Sequence, residues 1–263
     1  MKHTILIFPT AALALATLAC QFITPSIVQG SGNASTEVRE VSNFNEIILE
    51  GMGNVFITVG ETEELSIQAD DNLLPLLTAE VQNGALKLGV VRGTNINPVE
   101  PITYNVTIKE LNSISLAGSG NIYSEPLQSN DLKVTVAGSG DVEVKGLSGT
   151  DLSINLPGSG NITINQIDVT SIDTSIYGSG DIMLNGKADN QSIDVYGSGK
   201  YIAGDLETAN TNILIQGSSN LTVWVENKLD IRVNGSGDVS YYGRPTINQG
   251  GYGSGNVSSL GEK

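Results

Sequence analysis

The chain has 263 residues, of which 13 are lysine or arginine and 28 are aspartate or glutamate, so its formal net charge at pH 7 is −15. Such an acidic surface repels a phosphate backbone, and we therefore exclude nucleic acid as a partner. The only histidine is His3 and the only cysteine is Cys20. This composition excludes catalysis by a histidine- or cysteine-based nucleophile and most transition-metal sites, and we expect no cofactor.

Residues 1–20 have the character of an export signal. Lys2 provides a positive start, and the apolar run over residues 5–19 is shorter than the ~20 apolar residues that span a bilayer. The run ends at Cys20 and resembles a bacterial lipobox, although Thr17 and Leu18 stand in swapped order. We expect an exported protein whose only membrane contact is a lipid on Cys20. Ordinary signal cleavage and an uncleaved anchor are the alternatives.

Residues 21–36 are polar and mixed, and we predict a flexible tether. A single solenoid domain over residues 37–260 follows, and its divergent coils and insertion at 37–112 are interpreted as an N-terminal cap. Within the cap we predict a hairpin over residues 81–88 and a short helix over 73–79. Asp70 and Asp71 form either a metal or acid pair or a capping turn, and the turn is favoured.

The regular part of the chain, residues 113–260, is organised by a recurring Gly-Ser-Gly tripeptide, degraded once to Gly-Ser-Ser. The copies begin at Gly118, Gly138, Gly158, Gly178, Gly197, Gly217, Gly235 and Gly253. Apolar residues alternate before and after each copy, which indicates strands with one buried face. A period near 20 residues with strands in each repeat predicts an all-β, right-handed parallel β-helix, or β-solenoid, with Gly-Ser-Gly corners. We attribute the glycines to backbone angles that a side chain would forbid.

Stacked rungs turn equivalent positions into columns. The residue after each corner is usually Asn or Asp, as in Asn121, Asp141, Asn161 and Asp181. Such a column predicts either an Asn/Asp ladder with turn geometry or, less favourably, a row of calcium ligands. We therefore expect no metal site.

Two outward aromatic positions lie one period apart. Tyr177 and Tyr196 precede successive corners, and Asp173 and Asp194 belong to the same strands. Exposed rings beside polar groups are typical of a sugar-binding platform, and stacked tyrosines that cover strand edges are the alternative. Trp224 lies between two inward valines, so we expect it to point outward as a further candidate contact.

Several stretches resemble the head GIN domain family, whose members are classed as auto-transporter adhesins of the bacterial surface. The matching stretches are residues 41–47, 51–55, 69–74, 81–86, 116–121, 242–245 and 253–257, and the likeness covers about residues 36–260. It implies a β-solenoid, export, and adhesion or polysaccharide contact, and it implies no catalytic residue. Lys200 and Ser219 depart from the repeat and weaken the expectation of uniform rungs near them.

Our first functional hypothesis is a lipid-tethered extracytoplasmic module that binds polysaccharide or other cell-surface components. A β-helix enzyme that cleaves polysaccharide with paired carboxylates is the second hypothesis. A purely structural envelope protein is the third. The missing histidine and thiol chemistry favours binding over catalysis.

Overall fold

The computed structural model describes residues 27–263. The predictions for the targeting segment 1–20 and for Cys20 lie outside these described residues. The N-terminal strands are β1 (Ile27–Gln29), β2 (Ala34–Arg39), β3 (Glu46–Leu49), β4 (Asn54–Val59), β5 (Glu64–Asp70), β6 (Leu77–Gln82), β7 (Ala85–Val90), β8 (Asn95–Asn97) and β9 (Thr103–Ile108). In the predicted short helix, one 3-10 turn forms at Leu74–Leu76.

The remaining strands build the regular array. They are β10 (Ser113–Leu116), β11 (Asn121–Ser124), β12 (Leu127–Val136), β13 (Val142–Val144), β14 (Leu147–Leu156), β15 (Ile162–Ile176), β16 (Ile182–Val195), β17 (Tyr201–Ile215), β18 (Leu221–Val233), β19 (Val239–Tyr242), β20 (Thr246–Gly250) and β21 (Val257–Gly261). Pairing between successive rungs is parallel, as where Val134 pairs with Ile154, and local register shifts among the described strands occur only in the pairs β15–β16, β16–β17 and β17–β18 of the regular array and in β19–β21. The predicted all-β parallel solenoid is confirmed.

The interior is a continuous column of apolar side chains, and a cluster of hydrogen-bonded polar side chains lies within it. Tyr201 is fully buried and donates its hydroxyl to Gln191 Oε1 at 2.5 Å. The Gln191 amide reaches Thr211 at 3.4 Å, whose hydroxyl lies 2.8 Å from that of Thr208. Burial raises the pKa of Tyr201 well above its ordinary value, so the phenol stays neutral and keeps this hydrogen bond.

The corner glycines are needed for a different reason than the sequence predicted. Their φ angles stay outside the left-handed region. A Cβ on Gly178 would instead lie 1.7 Å from the carbonyl oxygen of Gly158, and one on Gly158 would lie 2.3 Å from that of Gly138. The attribution to forbidden backbone angles is therefore wrong. Successive corners stack backbone on backbone, and glycine is required because no side chain fits between them.

The divergent N-terminal coils add further strands to the first end of the array and then cover that end. β7 pairs in parallel with β3, and β9 pairs in parallel with β4. β5 then adds to β9 in antiparallel orientation, and β2 adds to β5. The predicted hairpin is confirmed, because β6 and β7 pair around Asn83 and Gly84, both with positive φ as a tight hairpin turn requires.

The ordered fold begins earlier than the predicted tether allows. Residues 27–29 form β1, which pairs with β8, and residues 34–36 begin β2. The sequence shows no alternation here because these strands lie on the surface of the cap. In residues 27–263, no helix has the length and apolar character needed to cross a membrane.

Candidate functional site

Tyr177 and Tyr196 form an exposed stack on the solenoid surface. Ile176 pairs with Val195, so the two tyrosines that follow lie one rung apart. Their ring centroids are 4.9 Å apart, and the ring planes differ by 3°. The side chains remain 55% and 42% exposed.

This stacking changes how the tyrosines could meet a ligand. Each ring covers one face of the other, and the outer faces point along the rod toward the neighbouring rungs. The surrounding solvent therefore meets ring edges and phenol hydroxyls, rather than a pair of open faces. A sugar would contact these edges and accept or donate hydrogen bonds at the hydroxyls, instead of lying flat across both rings.

Asp173 and Asp194 lie on the same outward face as the tyrosine pair. Asp173 pairs with Ser192, and Asp194 pairs with Ser175, so the two carboxylates lie in adjacent columns on adjacent rungs. Alternate residues of a strand share a face, which places Asp173 on the side of Tyr177 and Asp194 on the side of Tyr196. The structure thus places four of the side chains that the sequence singled out on one face, and it brings the two tyrosines into contact.

The same face carries a broad polar groove that sequence reasoning missed. One depression of about 450 Å³ is lined by residues that include Asp173, Asn190 and Asn212. A second, of about 520 Å³, includes Asp194 and Arg232. Both are lined by Asn212, Lys228 and Asp230, so they form one continuous surface, here called the polar face. Reading every outward column at the repeat period would have found these residues.

One ion pair fixes the middle of the polar face. Lys228 Nζ lies 2.5 Å from Asp230 Oδ2. The hydrogen bond from Lys228 lowers the pKa of Asp230 and outweighs the opposing effect of burial. Arg232 is exposed two residues further along the strand. The polar face therefore presents both charge signs together with amides, which suits a ligand rich in hydroxyl groups.

Trp224 does not join the polar face. Its side chain is half-buried, and its indole nitrogen donates to Glu226 Oε1 at 2.6 Å. Strand register places it beside Tyr242 of the next rung rather than near Tyr196.

The Asn/Asp column forms a hydrogen-bond ladder. Asn121 Oδ1 accepts the backbone N–H of Asp141 at 2.9 Å, and Asp141 Oδ1 accepts that of Asn161 at 2.8 Å. Asp181 Oδ1 likewise accepts the N–H of Lys200 at 2.8 Å. The ladder prediction is confirmed. In residues 27–263, no cluster of three histidine, cysteine, aspartate or glutamate side chains could hold a metal ion.

Asp70 and its neighbours hold the N-terminal segment against the cap. The buried Asp70 carboxylate accepts backbone N–H groups from Gly32 at 2.7 Å and Val99 at 2.9 Å. Asn72 accepts the N–H of Ser31 at 2.9 Å. A Cβ on Gly30 would lie 2.2 Å from Asp70 Oδ2, so only glycine fits there. This arrangement, here called the clasp, gives Asp70 a structural role and explains why the segment is not a free tether.

The charge of Asp70 depends on these donors. Burial by itself raises the pKa of Asp70, but the N–H groups of Gly32, Val99 and Glu100 together overcome it. The pKa of the carboxyl is therefore lower than its ordinary value.

Comparison of the sequence with models of known families identifies the family to which most of the solenoid belongs. A family model described as "Putative auto-transporter adhesin, head GIN domain" matches residues 43–165 and again residues 145–245. The chain belongs to the head GIN domain family. The two matches cover both the N-terminal coils and the regular rungs, so the corners and the cap are parts of one family architecture. No curated protein is similar enough to the chain to count as a match.

Several solved structures resemble this chain over most of its length. A "putative lipid binding protein" of Parabacteroides distasonis ATCC 8503 is 28% identical, with a TM-score of 0.83, over 89% of this chain and 100% of that chain. A "putative adhesin" of the same organism is 23% identical, with a TM-score of 0.80, over 89% and 100%. A "putative adhesin" of Parabacteroides merdae ATCC 43184 is 24% identical, with a TM-score of 0.76, over 89% and 98%.

The two departures from the head GIN repeat leave the rungs continuous. Around Ser219, Ser218 N–H still donates to Gly197 at 3.0 Å, as in the regular corners. Ser219 is buried, however, and its hydroxyl has no hydrogen-bond partner. Lys200 has no side-chain oxygen, so it cannot accept the N–H of Asn220, and the ladder loses one step there.

Proposed function

We propose that this chain is an extracytoplasmic binding module of the bacterial envelope, anchored by a lipid on Cys20, that adheres to polysaccharide through the polar face. The observation that carries the proposal is that Asp173 and Asp194 line adjoining depressions of the polar face, on the same outward strand face as the tyrosine pair. The adhesin class of the family supports a surface role, and neither the family nor the face calls for catalysis.

The chemistry of the face favours a neutral or amine-bearing polysaccharide. Carboxylates and amides on rigid parallel strands can hydrogen-bond successive hydroxyl groups without ordering a loop first, which lowers the entropic cost of binding. The net charge of −15 disfavours a polyanionic chain. Because the columns repeat at every rung, by ~4.8 Å, an extended polymer can meet the same donors and acceptors several times.

A titration with soluble polysaccharides tests this proposal. Asp173→Asn together with Asp194→Asn should weaken binding at least about tenfold, because charge-assisted hydrogen bonds to hydroxyls become neutral ones. The matched control is Asp168→Asn with Asp189→Asn, which makes the same charge change on the same two strands, outside the polar face. Equal losses in both pairs, or no binding to any neutral or basic polysaccharide, would refute the proposal.

The same incubation distinguishes binding from the alternative hypothesis, in which the protein cleaves the polysaccharide. New reducing ends or unsaturated products should not form during incubation with the polymers that bind. Turnover that disappears in the Asp173→Asn, Asp194→Asn variant would assign the face to an enzyme instead.

The anchor is tested separately. Growth with a radiolabelled fatty acid should label the wild-type protein and not a Cys20→Ser variant, and the wild type should fractionate with membranes. Export without label would retain the binding module and reject the lipid.

A lipid ligand is a second candidate, favoured by apolar side chains on the other strand face. Phe56 and Tyr123 stack at 5.2 Å beside a depression of about 220 Å³. Met183 and Ile202 are exposed nearby along the same face. One relative is named as a lipid binding protein. Co-sedimentation of the protein lacking residues 1–20 with phosphatidylethanolamine vesicles, lost in Met183→Ser with Ile202→Ser, would support it, and no co-sedimentation would reject it.

A further inference from the structure

A cation lies over two neighbouring aromatic rings near the last rungs. Lys263 Nζ is 5.4 Å from the ring centroid of Trp224 and 5.0 Å from that of Tyr242. It donates to the carbonyl oxygen of Gly204 at 2.7 Å and contacts the carboxylate of Asp205. Both ring distances are within the ~6 Å over which a cation is attracted to an aromatic face. These four groups, two rings and two oxygens, are here called the cage.

The walls of the cage are held by the solenoid, whereas the lysine is not part of them. Trp224 on β18 pairs with Tyr242 on β19, so the two rings stand on adjacent strands. The bond from the indole nitrogen to Glu226 fixes the orientation of the tryptophan. A Cβ on Gly204 would lie 3.2 Å from the Tyr242 ring, so the absence of a side chain there lets the ring pack close to the backbone. Lys263 enters from beyond the end of β21.

The combination of rings and oxygens selects one kind of cation. Two rings alone would suit a quaternary ammonium group, which has no N–H to donate. The Gly204 carbonyl and the Asp205 carboxylate both accept hydrogen bonds, and a primary ammonium group supplies three donors. A guanidinium group is flat and broad and spreads its donors over three nitrogens, whereas here a single nitrogen contacts both the carbonyl and the carboxylate.

We propose that the cage is a binding site for a primary ammonium group, of the kind that a lysine side chain of a partner polypeptide presents, and that Lys263 is an internal occupant that closes it. The occupant present in the structure is itself a lysine, which favours this source of the amine. The site shares no residue with the polar face and goes beyond the function proposed above. The acidic net charge draws basic partners toward it.

The test uses the single tryptophan of the chain as its reporter. The Lys263→Ala variant is titrated with Nα-acetyl-lysine methylamide while Trp224 fluorescence is recorded. We expect a saturable change in the millimolar range, and a response at least about tenfold weaker in the wild type. An internal group competes at an effective concentration on the order of millimolar or above, and the apparent affinity falls with the fraction of open cage.

The controls separate a binding site from a structural contact. Asp205→Asn in the Lys263→Ala background should weaken the response at least about fivefold, whereas Asp168→Asn should not change it. Choline and Nα-acetyl-arginine methylamide should respond at least about fivefold more weakly than the lysine derivative.

Three results would overturn the proposal. They are no fluorescence change up to about 50 mM ligand, an equal response to choline, and a stronger response to glucosamine than to the lysine derivative. If Lys263→Ala does not fold, as judged by circular dichroism, Lys263→Ser also removes the ammonium group and empties the cage. The same outcomes then apply to that variant.

Discussion

Replacing Lys200 by asparagine should repair the one broken step of the Asn/Asp ladder and stabilise the solenoid. The intact step from Asp141 to Asn161 shows what the substitution restores. Asn161 donates its backbone N–H to Asp141 Oδ1 at 2.8 Å and its side-chain amide N–H to the same oxygen at 2.9 Å. An asparagine at 200 can make the same two bonds to Asp181 and also offers an oxygen to the N–H of Asn220.

The expected magnitude follows from these bonds. Lys200 already donates its backbone N–H to Asp181, so the substitution adds the side-chain bond to Asp181 and the acceptor for Asn220. Each such bond contributes about 0.5–1.5 kcal/mol, and solvent exposure puts both at the low end, so we expect about 1 kcal/mol in total. In a chain of this length that corresponds to a rise in Tm of about 2–4 °C.

Urea denaturation followed by circular dichroism, together with a thermal scan, measures the effect. The control is Lys200→Ala, which removes the positive charge and side chain without adding an acceptor. If the alanine and asparagine variants shift the free energy of unfolding equally, the gain comes from losing the lysine, and the ladder argument is refuted.

Three further predictions concern the corners and the clasp. Gly178→Ala should destabilise by about 1–3 kcal/mol because its Cβ meets a carbonyl oxygen at 1.7 Å, whereas Gly250→Ala, with nothing within 4 Å, should be nearly neutral in the same urea titration. Ser219→Gly should raise the urea midpoint, because it removes a buried hydroxyl without a partner, and an unchanged or lower midpoint would contradict this. The pKa of Asp70 is lowered in the folded state, so the stabilisation by its carboxylate is present above the ordinary carboxyl pKa of about 4 and is lost as pH falls through the folded pKa. Proteolysis within residues 27–36 of the wild type should therefore increase at low pH. The Asp70→Asn variant should show the same cleavage at pH 7.

The architecture could be predicted because it is encoded twice in the sequence. Alternation of apolar residues gives the strands, and the recurrence of Gly-Ser-Gly gives the rungs and their register. The reason for the glycines could not be predicted in the same way. The carbonyl of Gly158 that excludes a side chain from Gly178 lies 20 residues earlier in the chain, and only the rung stacking brings it close.

The residues of the candidate surfaces likewise fall into those that the repeat period reveals and those that it does not. Tyr177 and Tyr196 were found because they occupy one column that the repeat defines. Asp230 lies in the column of Asp173, three rungs later, and Lys228 lies in the next outward column; both were missed because these columns were not followed beyond the rungs of the tyrosine pair. The clasp was missed because Asp70 and Gly32 are 38 residues apart, without any periodic relation between them. A repeat therefore predicts contacts at its own period and gives no information about the others.

The cage lies on rungs that depart from the regular repeat. Tyr201 replaces the aliphatic residue found at the same position in the neighbouring rungs, Ile182 and Leu221. Further along the same strand, the pairing of β17 with β18 departs from register between Ala203 and Glu207, and the exposed Asp205 side chain beside the cage lies in this irregular stretch. A chain selected only for uniform stacking would retain the simple repeat there, since each departure weakens packing or hydrogen bonding. Departures from local consistency concentrate where function opposes stability. Mutations that regularise the rungs between residues 200 and 224 should therefore stabilise the solenoid and weaken the cage, whereas regularising mutations near residue 150 should only stabilise.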